Sequence, residues 1–160
     1  MKRLLLALLA WCIALSIAQA TTFTVTNTAN SGAGSLRQAI TDANADNTAT
    51  AANPHLIDAT GVMGTINVTI DPANLQFFLV ITNHITIKGS GQANLTISGN
   101  GTNRIFWIQN GTITLQDLTL ADGYAKGGDG GGGGMGAGGA IFMHECKQDP
   151  NNSTGVLSGR

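Results

Sequence analysis

The stretch GTINVTIDPANLQFFLVITNHITIKGSGQANLTISGNGTNRIFWIQNGTITLQDLTL, residues 64–120, decides the fold. Short apolar alternations recur along it, each closed by Gly or Asn: TINVTI (65–70), HITIKGSG (84–91), NLTISGNG (94–101), RIFWI (104–108) and GTITLQDLTL (111–120). Nothing between them is long enough for a crossover helix, so the strands must stack as coils or pair as hairpins. The repeated Thr-Ile-x-Gly phrasing favours coils of one solenoid, with Ile and Leu inward and Thr, Asn, Gln or Lys outward. The expected core is Ile66, Val68, Ile70, Ile85, Ile87, Leu95, Ile97, Ile113, Leu115, Leu118 and Leu120, with corners at Gly89, Gly99, Gly111 and Gly123. Leu75–Ile81 is almost wholly apolar and reads as a strand buried on both faces, or as a seam beneath a cap.

Upstream, Phe23–Thr26 alternates like a first strand, and Asn27–Gly34 carries turn chemistry. Ser35 is then an N-cap, with Leu36, Ala39, Ile40 and Ala43 at the spacing of an amphipathic helix that ends before Pro54. The first coil of a solenoid exposes an apolar cross-section and unpaired strand edges, and a helix laid over that end covers both. The fold class expected is all-β: the N-terminal portion of a parallel β-helix with a short capping α-helix, preceded by a signal peptide.

That leader is residues 1–20. Lys2 and Arg3 supply its positive start, Leu4–Ile17 its apolar core, and Ala18-Gln19-Ala20 a cleavage signal before Thr21. Residues 21–63 then form the N-terminal strand and capping helix, and residues 64–143 the coils, with a Gly-rich loop at 123–139. Residues 144–160 are polar and aperiodic and close nothing, so the chain reads as the N-terminal part of something longer, or as a product cut short. Removing the leader takes the formal net charge from −1 to −3, which attracts neither nucleic acid nor an anionic membrane. The mature chain holds no second apolar run long enough to span a bilayer. Cys12 leaves with the leader, so Cys146 has no intramolecular partner.

Chemistry is sparse. Acid–base hydrolysis needs two placed carboxylates, and the densest cluster is Asp117, Asp122, Lys126 and Asp129, without an adjacent Asp pair. Asp122 and Asp129 are kept as ligand-contact candidates. Asp129 stands alone among glycines, too few oxygens for calcium, and the Gly run opens no helix that could hold a phosphate. His144-Glu145-Cys146 alternates across an extended chain and makes no metal site, and His55 and His84 read as isolated turn or surface residues. No catalytic residue, metal or cofactor is expected. Phe77, Phe78, Phe106 and Trp107 could stack a sugar where they lie outside; neighbours alternate, so Phe106 or Trp107 must face outward, and Trp107 is the candidate.

TVTNTANSGAGSLRQAITDANA (24–45), followed by GTI (64–66), ITIKGSG (85–91), LTISGNG (95–101), LTLADG (118–123) and GGAIF (138–142), resembles a known family. It is similar to secreted bacterial right-handed parallel β-helix surface proteins, of the polymorphic-outer-membrane and autotransporter-adhesin kind, that open with a Ser-Leu-Arg-x-Ala-Ile segment. The resemblance runs from Phe23 to Met143 and implies display on, or release from, a bacterial cell. The function expected is that of an exported, non-enzymatic, adhesin-like segment meeting a host-surface or carbohydrate ligand. The alternatives are a carbohydrate-active enzyme whose active face lies in further coils, and a structural stalk.

Overall fold

The computed structural model describes residues 20–127 and 138–144, which form ten short strands and one helix. In chain order these are β1 (Thr22–Thr24), α1 (Leu36–Ala45), β2 (His55–Asp58), β3 (Gly64–Asn67), β4 (Leu79–Ile81) and β5 (Ile85–Lys88). There follow β6 (Leu95–Ser98), β7 (Phe106–Ile108), β8 (Ile113–Gln116), β9 (Thr119–Ala121) and β10 (Ile141–Met143). The leader before Ala20, Asp129 within the Gly-rich loop, and the tail from Glu145 onward, including Cys146, lie outside the described residues.

From β2 on, consecutive strands never pair. Each pairs in parallel with the strand three places further along, giving sheets ordered β1-β2-β5-β8, β3-β6-β9 and β4-β7-β10. The protein is thus strand-rich, with parallel sheets and a single helix among the described residues. Register sets like on like: Ile57 on Ile87 on Leu115, Ile66 on Ile97 on Leu120, and Leu79 on Phe106 on Ile141. All nine belong to, or pack on, one apolar cluster shared by the three sheets. Each fully buried Ile or Leu contributes about 1.5–3 kcal/mol of transfer free energy. Ile113, Leu115, Leu118 and Leu120 are only half-buried, lying on or between the last described strands of their sheets.

The turns follow the glycines and aspartates. Gly111 has φ +78°, and a Cβ there would overlap the Asn83 carbonyl, so glycine is required on both counts. Asn100, Asp117 and Asp122 take the left-handed conformation at corners, as short polar side chains can.

Three features differ from the sequence reading. The strand array starts upstream of residue 64, because β1 and β2 belong to the same sheet as β5 and β8. Ile70 is 41% exposed, because β3 ends at Asn67 and the chain turns away after Val68. Leu75–Phe78 is no strand: Asp71 and Leu75, at φ +57°, turn the chain, leaving Leu75 and Phe77 exposed and only Leu79 and Ile81 inward.

α1 lies against β1, β2 and β4. Ser35 accepts from the Gln38 amide as its N-cap, and Leu36, Ala39, Ile40 and Ala43 are buried beneath it. Polar side chains finish the strand edges. Asn44 donates to the Val80 carbonyl at 2.8 Å and accepts from the Thr82 amide at 3.0 Å, imitating a neighbouring strand on β4. Asn30 does the same for Ile70 O and Thr69 N. Arg37, 5% exposed, donates to the carbonyls of Asn30, Thr69 and Phe78 and to the Asn30 and Gln76 side chains. Burial lowers the pKa of its guanidinium, and Asp71 opposes that shift.

His55 is fully buried, against the expectation of a turn or surface residue. Its Nδ1 accepts from the Thr21 amide at 3.0 Å and its Nε2 lies 2.9 Å from the Asp46 carbonyl, a pattern that fits the neutral ring protonated at Nε2. Thr21 Oγ1 donates to Asp46 at 2.6 Å. With Thr48 donating as well, these bonds hold the Asp46 carboxyl at about 2. A carboxyl depressed on folding stabilises above its unfolded pKa, near 3.9, and loses that contribution as pH falls through the folded value. The stability gap between the native protein and Asp46→Asn is therefore expected to be steady above about pH 5 and to close from about pH 4 to 2. Denaturant unfolding at a series of pH values measures it, and a gap of constant size through that window would refute the carboxylate's role.

Candidate functional site

The most chemically distinctive surface is built on the sheet β4-β7-β10. Phe106 and Ile108 enter the core, so Trp107 between them faces outward, in register with Val80 and Phe142. Phe78 stacks on Trp107 with ring centres 4.8 Å apart and planes 26° apart. Phe142 meets Trp107 edge-on at 5.2 Å, and the Arg104 guanidinium carbon lies 5.0 Å from the Phe142 ring centre. Both flanks of Trp107 are covered, so it is a spacer in the stack rather than an open platform. Its buried Nε1 has no hydrogen-bond partner among the described residues.

Beside the stack runs a groove of about 270 Å³, lined by Phe77, Phe78, Asn103, Arg104, Tyr124 and Lys126 among others. Phe77 is 51% and Tyr124 45% exposed. Two tethers fix the walls. The Phe78 carbonyl is held by Arg37 at 2.9 Å, which ties one wall to α1. The Tyr124 amide donates to the Asn103 carbonyl at 2.9 Å, which ties the start of the Gly-rich loop to the corner before β7.

Of the ligand candidates among the described residues, neither Trp107 nor Asp122 lines the groove. Asp122 is an exposed corner residue that accepts from Ser98 Oγ at 3.1 Å and does not line the groove. Asp129 lies outside the described residues. Lys126, from the expected acidic cluster, instead reaches the aromatic groove. Arg104, Asn103 and Tyr124 went unnoticed in the sequence; the available signal was Tyr124 directly after the Asp122-Gly123 corner. Among the described residues no three His, Cys, Asp or Glu side chains come together to hold a metal ion, and no helix is long and apolar enough to cross a membrane.

No protein-family model matches the chain, and searches of the curated proteins and of the solved structures find no match either.

Proposed function

We propose that this is an exported, non-enzymatic recognition protein: the N-terminal portion of a right-handed parallel β-helix, whose outer face binds carbohydrate at a cell surface. The three-place strand pairing supports the β-helix, because a chain that visits three sheets in fixed order and returns one strand further along winds as a coil. The Asn and Arg closure of the N-terminal edges supports a stack that grows in one direction only. Few charges, 11% of residues, and a surface rich in Thr and Asn suit a displayed β-protein.

The observation that carries the binding reading is the groove beside the Phe78–Trp107–Phe142 stack. Exposed Phe77 and Tyr124 rings offer apolar surface to the C–H face of a pyranose, and the positive charges of Arg104 and Lys126 along the same groove suit acidic groups on it. Binding to immobilised neutral and acidic oligosaccharides is the test. Phe77→Ala and Tyr124→Ala are each expected to weaken binding at least about tenfold, or about 1.4 kcal/mol. Their unfolding midpoints should stay close to native, because both rings are exposed. Saccharide binding unaffected by both substitutions, or no binding to any sugar, would dismiss the site.

A further inference from the structure

We infer that the fold carries a receptor for its own processed amino terminus, in which His55 and Asp46 capture the free α-amine of Thr21. This rests on the proposed export only for the step that creates the amine. Two independent observations meet at one residue. The sequence places the cleavage signal Ala18-Gln19-Ala20 directly before Thr21. The folded chain, in turn, is fastened at Thr21 through every polar group it has. Its amide donates to His55 Nδ1 at 3.0 Å, its hydroxyl to Asp46 Oδ2 at 2.6 Å, and its carbonyl accepts from the Leu56 amide at 3.0 Å. The parallel ladder then begins at the next residue, with Thr22 opposite Leu56.

The receptor is rigid and prepared. His55 is fully buried, with its ring edge against Phe23 at 5.5 Å and its Nε2 committed to the Asp46 carbonyl, so Nδ1 is left aimed at Thr21 N as an acceptor. Asp46 closes α1, and its second oxygen is held by the Thr48 amide and hydroxyl, which fixes the carboxylate opposite Thr21. In the precursor, Thr21 N is an amide with one proton, already spent on His55. Hydrolysis by a leader peptidase breaks the Ala20–Thr21 C–N bond. Water supplies the oxygen that completes the Ala20 carboxylate, and Thr21 N leaves as an amine that is largely protonated at neutral pH. The ammonium keeps the bond to Nδ1 and gains two donors and a positive charge next to the Asp46 carboxylate. Ala20 is half-buried and is bonded directly to Thr21 N, so a leader still attached takes the place of the protons that carry the new charge. A Thr or Ser after the cut is required for the hydroxyl contact.

The experiment separates capture from export. A chain beginning at Thr21 is released from a cytoplasmic fusion and compared with the same chain carrying Ala20 in front and with an N-acetylated form. The Thr21 start is expected to melt about 3 °C or more above both, and its α-amine to react with an amine-acylating reagent at least about tenfold more slowly than that of an unfolded Thr-initiated peptide. Asp46→Asn, which keeps the side-chain shape, is expected to remove the melting advantage. Equal midpoints for the three forms, an advantage untouched by Asp46→Asn, or an amine that reacts at the peptide rate overturns the proposal. Mass measurement of the protein secreted with its own leader tests the other half: a terminus elsewhere than Thr21 would count against the processing step while leaving the capture result standing.

Discussion

Replacing Ile97 with Asp is expected to abolish cooperative folding. Ile97 is fully buried at the centre of β6, between Ile66 on β3 and Leu120 on β9. The substitution forfeits about 2–3 kcal/mol of transfer free energy. It also sets a carboxyl among aliphatic side chains, where an unpaired polar group costs several kcal/mol more even if it takes up a proton. The sum exceeds about 5 kcal/mol, against total stabilities of about 5–15 kcal/mol for domains of ordinary size. Because β6 pairs on both sides, the damage spreads to β3 and β9 rather than fraying one end. Ile97→Val is the control, costing about 1 kcal/mol and keeping a single sharp transition. Thermal unfolding followed by circular dichroism reads both variants. A cooperative transition at the native temperature in the Asp variant would mean that Ile97 does not face the core.

Local alternation was enough to find what it encodes directly. Ile85 and Ile87, then Leu95 and Ile97, sit inward because period two is a property of the extended backbone itself. The helix was equally legible, since Ser35 and the spacing of Leu36, Ala39, Ile40 and Ala43 need only neighbours in sequence. What depends on distant partners was not. His55 reads as polar, yet it is buried because Thr21 and Asp46 satisfy both ring nitrogens from 34 and 9 residues away. Leu75–Phe78 is apolar enough for a buried strand, but the Asp71 turn holds it outside, where Phe77 and Phe78 line the groove. Trp107's outward direction followed from alternation, while the covering of its faces depends on Phe78 and Phe142, 29 and 35 residues away. The groove was visible in part, as aromatics without a surface. Its cationic side, Arg104 and Lys126, comes from segments that only folding joins.

Arg37 shows the same limit most sharply, and substituting it is expected to have the second-largest effect. Nothing in the residues around it assigns this arginine a partner, yet its guanidinium holds the ends of three separate segments. Arg37→Ala would strand the Thr69 and Phe78 carbonyls and leave buried Asp71 without the nearby positive charge. Removing one member of such a buried charged network costs about 3–5 kcal/mol. For a chain of this length that lowers the melting temperature by roughly 10 °C. Arg37→Lys restores the charge but not the planar fork that reaches Asn30, Thr69 and Phe78 together, so it should recover less than about half of the loss. The effect also travels to the groove. Phe78, freed at its carbonyl, no longer holds its ring flat on Trp107, and in a protein prepared from Thr21 onward Trp107 is the one tryptophan that reports it. Fluorescence emission below the melting temperature should therefore shift to the red in Arg37→Ala, and saccharide binding should weaken alongside it. If the variant melts within about 1 °C of native and its emission is unmoved, Arg37 holds neither α1 nor the wall of the groove. If it melts early with emission unchanged, α1 and the groove are separate structures, and the helix does nothing for recognition.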